Sequence, residues 1–176
     1  MNKRFLREDI ATQKKTLSNK DKENASRSVF ADLERMSLFG SAKNILCYWS
    51  LNDELGTHAF IQKWFHDKVI YLPVVNGAKV DLIQFTGLDK MRSGAYNILE
   101  PIGDVFSNLE TINLAIVPGV AFSDNGDRMG RGGGYYDRLL PHLVNAYKIG
   151  VGYQLQRRNP IPIEPHDVKL DQVLFG

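Results

Sequence analysis

Apolar positions change period along the chain, and each change marks an element. Over residues 3–17, Phe5, Leu6, Ile10 and Leu17 fall on one stripe at helical spacing, while Lys3, Arg4, Arg7, Lys14 and Lys15 lie mostly off it, which predicts a helix with a basic edge. Ser18-Asn19-Lys20-Asp21 has the form of a capping box with Asp in place of Glu. Val29, Phe30, Leu33 and Met36 then predict a second helix that ends near Phe39-Gly40. The short unbroken run Ile45-Leu46-Cys47-Tyr48-Trp49 reads as a parallel strand buried on both faces. Thr57 stands where an N-cap would open a helix with Phe60, Ile61, Trp64 and Phe65 on its inner face. Residues 69–73 predict the next strand, and Asn76-Gly77 between Val74-Val75 and the run 79–85 predicts a hairpin that adds an antiparallel strand.

Residues 86–100 carry little periodicity and read as loop with at most one short helix before Pro101. Leu114-Ala115-Ile116-Val117 is again a buried strand, ended by Pro118-Gly119. A helix starts at Tyr135 and runs to about Pro141, where it kinks or restarts. Residues 148–153 return as a strand. The tail, with Pro160, Pro162 and Pro165, reads as an extended surface segment that closes on Gln172-Val173-Leu174-Phe175. Strands alternating with helices, plus one hairpin, predict an α/β fold: one domain over residues 1–176 with a mixed sheet flanked by helices. With 176 residues, 43% of them hydrophobic, the chain can bury a core of that size without a second domain.

Composition changes this picture at one place. Five of the 15 glycines fall between Gly126 and Gly134, where average usage of about 7% would put fewer than one. This loop runs from a strand end into a helix start. Gly132, Gly133 and Gly134 tolerate backbone conformations that turn several N–H groups onto one anion, so the loop can cradle phosphate. Arg128 and Arg131 supply fixed charge and forked donors, and Asp137 follows as a possible metal or water ligand. The plainer alternative is a flexible loop in which Asp137 only complements the helix dipole. Neither common nucleotide signature is met: Gly134 is followed by Tyr135 and not Lys-Ser or Lys-Thr, and Tyr135 stands where the dinucleotide pattern starting at Gly130 needs its third glycine. Asp53 and Glu54 lie in a strand-to-helix loop, the ligand edge of an open α/β sheet, although spacing alone also fits a solvated acidic loop.

The net charge is +2 with cations scattered except near the N-terminus, which suits a small anionic ligand and disfavours bulk nucleic-acid binding. Cys47 is the single cysteine, so no intrachain disulfide forms and a core thiol in a reducing cytosol is expected. No apolar stretch approaches the roughly 20 residues of a membrane span and the start lacks a continuous apolar signal region, so a cytoplasmic location is expected. His58, His66, His142 and His166 show no paired metal spacing.

Pro118-Gly119-Val120-Ala121-Phe122, Gly126-Asp127-Arg128-Met129-Gly130 and Gly132-Gly133-Gly134-Tyr135-Tyr136-Asp137-Arg138 together resemble 5-formyltetrahydrofolate cyclo-ligases, also called methenyltetrahydrofolate synthetases. The likeness extends to the basic start Lys3-Arg4-Phe5-Leu6-Arg7, to Asn52-Asp53-Glu54 with Thr57, and to Glu164-Pro165-His166-Asp167-Val168-Lys169-Leu170-Asp171. It implies a compact α/β sandwich with a mixed, mostly parallel sheet, and closure of the N5-formyl group of 5-formyltetrahydrofolate onto N10, with ATP as co-substrate, Mg²⁺ as cofactor, and ADP and phosphate released. By the same resemblance, ATP would be held by Lys3, Arg4, Arg7, Arg128, Gly130, Arg131, Gly132, Gly133, Gly134, Tyr135 and Tyr136. Mg²⁺ would sit on Asp137 and Asp167. Glu54 would accept the pterin N–H groups, and Trp49, Tyr96, Arg131 and Tyr135 would complete the folate site, with Arg131 and Asp137 carrying the chemistry. Tyr71 and Phe85 join Trp49 and Tyr96 as candidates for the folate slot, each equally readable as core. Some relatives carry lysine at the position of Gly133, a contact that Arg131 must supply here or that is lost.

Two other classes share parts of this pattern. A sugar-phosphate isomerase would use a glycine-lined phosphate site without ATP, and a non-catalytic nucleotide-binding module would bind ATP without consuming it. In each reading the partners are small molecules, with neither nucleic acid nor membrane involved, and the chain is expected to be a monomer.

Overall fold

The computed structural model describes residues 2–94 and 98–176. In chain order the first half holds α1 (Lys3–Lys14), α2 (Asn19–Arg35), α3 (Ser37–Ser41), β1 (Asn44–Leu46), α4 (His58–Trp64), β2 (Val69–Asn76) and β3 (Lys79–Gln84). Then follow β4 (Met91–Ser93), β5 (Leu99–Pro101), β6 (Val105–Phe106), β7 (Leu114–Val117), β8 (Ala121–Phe122), β9 (Arg128–Met129), α5 (Tyr135–Leu139), β10 (Tyr147–Gly152) and β11 (Gln172–Phe175). The main sheet has the order β11-β10-β7-β1-β2-β3-β6, parallel from β11 to β2, with β3 and β6 antiparallel. This is the mixed, mostly parallel sheet the sequence predicts. From the central β1 the chain steps to β2 on one side, and β7 later pairs on the other. The connections therefore diverge between β1 and β7, where an α/β sheet opens a crevice at its carboxyl edge.

The two-residue alternation of the strands separates two cores. Ile45, Ile70, Leu72, Leu114, Ile116, Ile149 and Val151 face α2, α3 and α4 through Val29, Phe30, Leu33, Phe39, Phe60 and Ile61. Leu46, Tyr71, Ala115 and Val117 face the other way, onto Leu139, Leu140 and Leu143 of α5 and the turn after it. Both faces are covered, which is why β7 is buried at all four positions. α1 docks separately, with Leu6 and Ile10 against Val120, Ala121, Met129 and Ile161, so it leans on the β8–β9 hairpin that carries the glycine loop. The Ser18–Asp21 capping box forms as expected, with both reciprocal bonds present.

Several expectations are corrected. Phe5 is 61% exposed, and the inner face of α1 is completed by Lys14 instead. Thr57 opens α4 without capping it, because its hydroxyl donates to the Tyr48 carbonyl and accepts from the Ser50 N–H. Residues 86–100, read as loop with at most one short helix, hold a single 3-10 turn at Leu88–Lys90 among the described residues, but also most of the β4–β5 ladder, which ends at Pro101. The tail does not simply wrap the surface: β11 pairs in parallel with β10 over four residues and forms the sheet edge. Among the described residues, no helix is long and apolar enough to cross a membrane.

Candidate active site

The crevice at the ends of β1 and β7 opens into a cavity of about 530 Å³. Tyr48, Trp49, Pro73, Val75, Val80 and Leu99 give it apolar walls. The glycine loop gives it polar ones, through Arg128, Gly130, Arg131, Gly133, Gly134 and the first turn of α5. A flat aromatic ligand and an anion can therefore meet in one space.

Within the loop, Gly132 and Gly134 have φ of 109° and 65°, conformations that side chains with a Cβ rarely adopt. The backbone N–H groups of Arg131, Gly132, Gly133 and Gly134 donate to no acceptor among the described residues. Successive free amides of this kind form an anion-binding nest. A Cβ on Gly133 would stand 2.8 Å from the Tyr135 ring, so the aromatic ring occupies the space a longer side chain would need.

Opposing charges close over this loop. The 50–57 segment is braced from below: the Tyr48 hydroxyl donates to Leu55 O at 2.9 Å, the Tyr153 hydroxyl donates to Glu54 O at 2.7 Å, and Thr57 N–H donates to Ser50 Oγ at 3.0 Å. Glu54 is held by the Leu51 N–H at 3.0 Å on Oε2 and by Arg131 Nε at 3.2 Å on Oε1. Arg131 Nη2 reaches Asp53 Oδ1 at 2.6 Å, and Lys14 Nζ lies 3.7 Å from Asp53 Oδ2. The result is an alternating chain Lys14, Asp53, Arg131, Glu54 that ties α1 and the glycine loop to the acidic loop. Burial pushes the Asp53 carboxyl upward, but the hydrogen bond and charge of Arg131 outweigh it and leave Asp53 below its ordinary value. For Lys14 burial wins and lowers the ammonium below its ordinary value despite Asp53.

The basic edge of α1 faces the same region. Arg7 Nε donates to Gly130 O at 2.9 Å, and Lys3 Nζ pairs with Asp167 Oδ2 at 2.9 Å and Glu164 Oε2 at 3.3 Å. Arg4 is not brought there: its side chain is 85% exposed and its partner is Glu8. Arg128 is inside the loop as expected but turned inward, its side chain 3% exposed and paired through Nη2 with Asp137. Asp137 lines the cavity, whereas Asp167 is engaged by Lys3 and the Glu164 N–H and lies beside His166. The two carboxylates expected to share a metal thus answer to different partners. Trp49 lines the cavity, stacked on His58 at 4.0 Å, while Tyr71 and Phe85 belong to the core. Tyr96 lies outside the described residues. Lys14 escaped the sequence reading, although its place seven residues after Arg7 and eleven after Lys3 puts it in phase with both along the helix.

The whole chain, residues 1–176, matches the model of the 5-formyltetrahydrofolate cyclo-ligase family. It is similar to a 5-formyltetrahydrofolate cyclo-ligase of Haemophilus influenzae, at 31% identity over 97% of this chain and 96% of that one. A mouse protein of the same name is 28% identical over 98% and 93% of the two chains. The solved structure of Aquifex aeolicus 5,10-methenyltetrahydrofolate synthetase superposes with a TM-score of 0.89 at 30% identity, covering 99% of this chain and 90% of that one. A full-length family match, this agreement of fold and a cavity built from the glycine loop and the Asp53-Glu54 loop lead to one conclusion: the chain belongs to the 5-formyltetrahydrofolate cyclo-ligase family and is an enzyme.

Proposed function

We propose that the chain converts 5-formyltetrahydrofolate and ATP into 5,10-methenyltetrahydrofolate, ADP and phosphate in the cavity between β1 and β7, acting as a cytoplasmic monomer with Mg²⁺. The observation that carries this is Arg131, whose one guanidinium joins the amide nest of the glycine loop to both acids of the 50–57 loop. Family membership sets aside the sugar-phosphate isomerase, which has no use for that junction.

The formyl oxygen is a poor leaving group, so it must first be activated. Its lone pair attacks the γ-phosphorus and the bond to ADP breaks, giving a phosphorylated iminium. N10 then adds to the formyl carbon and loses its proton, and the C–O bond breaks to expel phosphate. This sequence needs alignment and charge neutralisation and no protein nucleophile. Cys47 agrees, being fully buried with its thiol pushed up to about 12 by burial. The nest of residues 131–134 binds triphosphate oxygens, and Lys3 and Arg7 add charge along α1. Glu54 accepts pterin N–H donors at Oε1, the oxygen now held by Arg131. That exchange turns the Arg131 fork toward the phosphoryl group in transfer.

Mg²⁺ suits Asp137, a hard oxygen donor on the cavity wall with one oxygen steadied by Arg128 and the other without a partner among the described residues. When bound, it screens the triphosphate charge. Asp167 would join only by loosening its bond to Lys3. The test is ATP affinity by calorimetry: chelating Mg²⁺ should weaken it at least about tenfold, the worth of one charge-assisted contact. Equal affinity with and without the metal would refute the Mg²⁺ part of this reading.

A further inference from the structure

Three tyrosine hydroxyls surround the acidic loop, and the fold uses two of them. Tyr48 donates to Leu55 O and Tyr153 to Glu54 O, which pins the loop. The hydroxyl of Tyr136, buried like that of Tyr48, has no hydrogen-bond partner among the described residues. Arg128 Nε is in the same condition, and both residues line the 530 Å³ cavity, the guanidinium 5.7 Å from the Tyr136 ring. A buried polar atom without a partner destabilises the fold, so such an atom on a residue that lines a ligand cavity points to a ligand.

The missing partner has a definite chemistry. Arg128 Nε can only donate, and burial, reinforced by the charge of Glu54, pushes the Tyr136 hydroxyl well above its ordinary value, so it stays protonated. Two donors call for an acceptor oxygen. Glu54 does not provide one, because both its oxygens have partners, and Arg128 holds Asp137 Oδ1 through Nη2 and not through Nε. A neutral amide-type oxygen meets this need without a charge penalty beside Glu54.

Resting on the cyclo-ligase reading, we propose that the Tyr136 hydroxyl donates a hydrogen bond to the formyl oxygen of the bound folate. One lone pair of that oxygen is then fixed by the protein and the other is left for the γ-phosphorus. Tyr136 thereby selects formylated over other N5-substituted folates, and Arg128 Nε closes the same oxygen pocket.

Tyr136→Phe removes only the orphan oxygen. In calorimetry without ATP, it should weaken 5-formyltetrahydrofolate about tenfold, the scale of one hydrogen bond, and leave 5-methyltetrahydrofolate, which has no such oxygen, unchanged. Its melting temperature should hold or rise. Tyr48→Phe, which strands the Leu55 carbonyl, should instead melt several degrees lower. Equal affinity of wild type and Tyr136→Phe for the formyl ligand, equal weakening of both folates, or a lowered melting temperature for Tyr136→Phe would each overturn the inference while leaving the cyclo-ligase reading intact. Wild-type protein that binds neither folate would overturn the reading and the inference with it.

Discussion

Replacing Arg131 by alanine separates the energetics of folding from those of the site. The side chain is 48% exposed, and its ion pairs to Asp53 and Glu54 are therefore largely screened, worth at most about 1 kcal/mol to stability. After the change Asp53 keeps Lys14, and Glu54 keeps the Leu51 N–H. For a chain of this length 1 kcal/mol moves the melting temperature by about 2–4 °C. The catalytic cost is set by a different quantity, the loss of a charged donor from a phosphoryl-transfer site. Such a loss typically lowers the rate by about 100- to 1,000-fold, or roughly 2.7–4 kcal/mol of transition-state stabilisation. Initial rates and thermal melts on one preparation of Arg131→Ala give both numbers. Arg131→Lys should fall between, because an ammonium keeps the charge but cannot fork onto two acceptors. A folded Arg131→Ala protein with kcat/KM within about threefold of wild type would refute the role given to this residue.

Two further outcomes follow from the packing around the loop. Gly126 has φ of 87°, and a Cβ there would lie 2.2 Å from the Leu170 carbonyl oxygen, so Gly126→Ala should cost at least about 2 kcal/mol and melt at least about 4 °C lower. An unchanged melt would show that the hairpin and tail are not locked together there. Asp53 and Asp167 both sit below their ordinary values, burial opposing the shift and Arg131 or Lys3 outweighing it. Because their folded values are depressed, the stability they add is full above the unfolded value of about 3.9 and is lost as pH falls through the folded ones. Denaturant titrations from pH 6 downward should show this loss, and Asp167→Asn should flatten it. A variant that keeps the wild-type acid slope would remove Asp167 from the account.

Where local rules decided the structure, the sequence was readable. The β7 run, the glycine loop and the start of α5 form one contiguous signal, and the Ser18 box and Asn76-Gly77 turn each have a local mechanism. What was not legible depends on contacts distant in the chain. Thr57 looks like a cap in its own segment, yet the Tyr48 carbonyl nine residues earlier takes its hydroxyl. Lys14 reads as solvated edge until Asp53 arrives beside it. β11 is too short to announce itself and becomes a strand because β10 offers an open edge. The site divides the same way: Arg131 and Glu54 were named from motifs, but the pinning tyrosines Tyr48 and Tyr153 and the inward turn of Arg128 are products of packing.

The most direct measurement follows product and phosphate together. Mixed with 5-formyltetrahydrofolate, ATP and Mg²⁺, the protein should generate the near-ultraviolet absorbance of the conjugated methenyl product and release phosphate one for one, with both signals abolished by omitting ATP or chelating the metal. ATP binding with no phosphate released from any formylated folate would contradict the account and leave a nucleotide-binding module in its place.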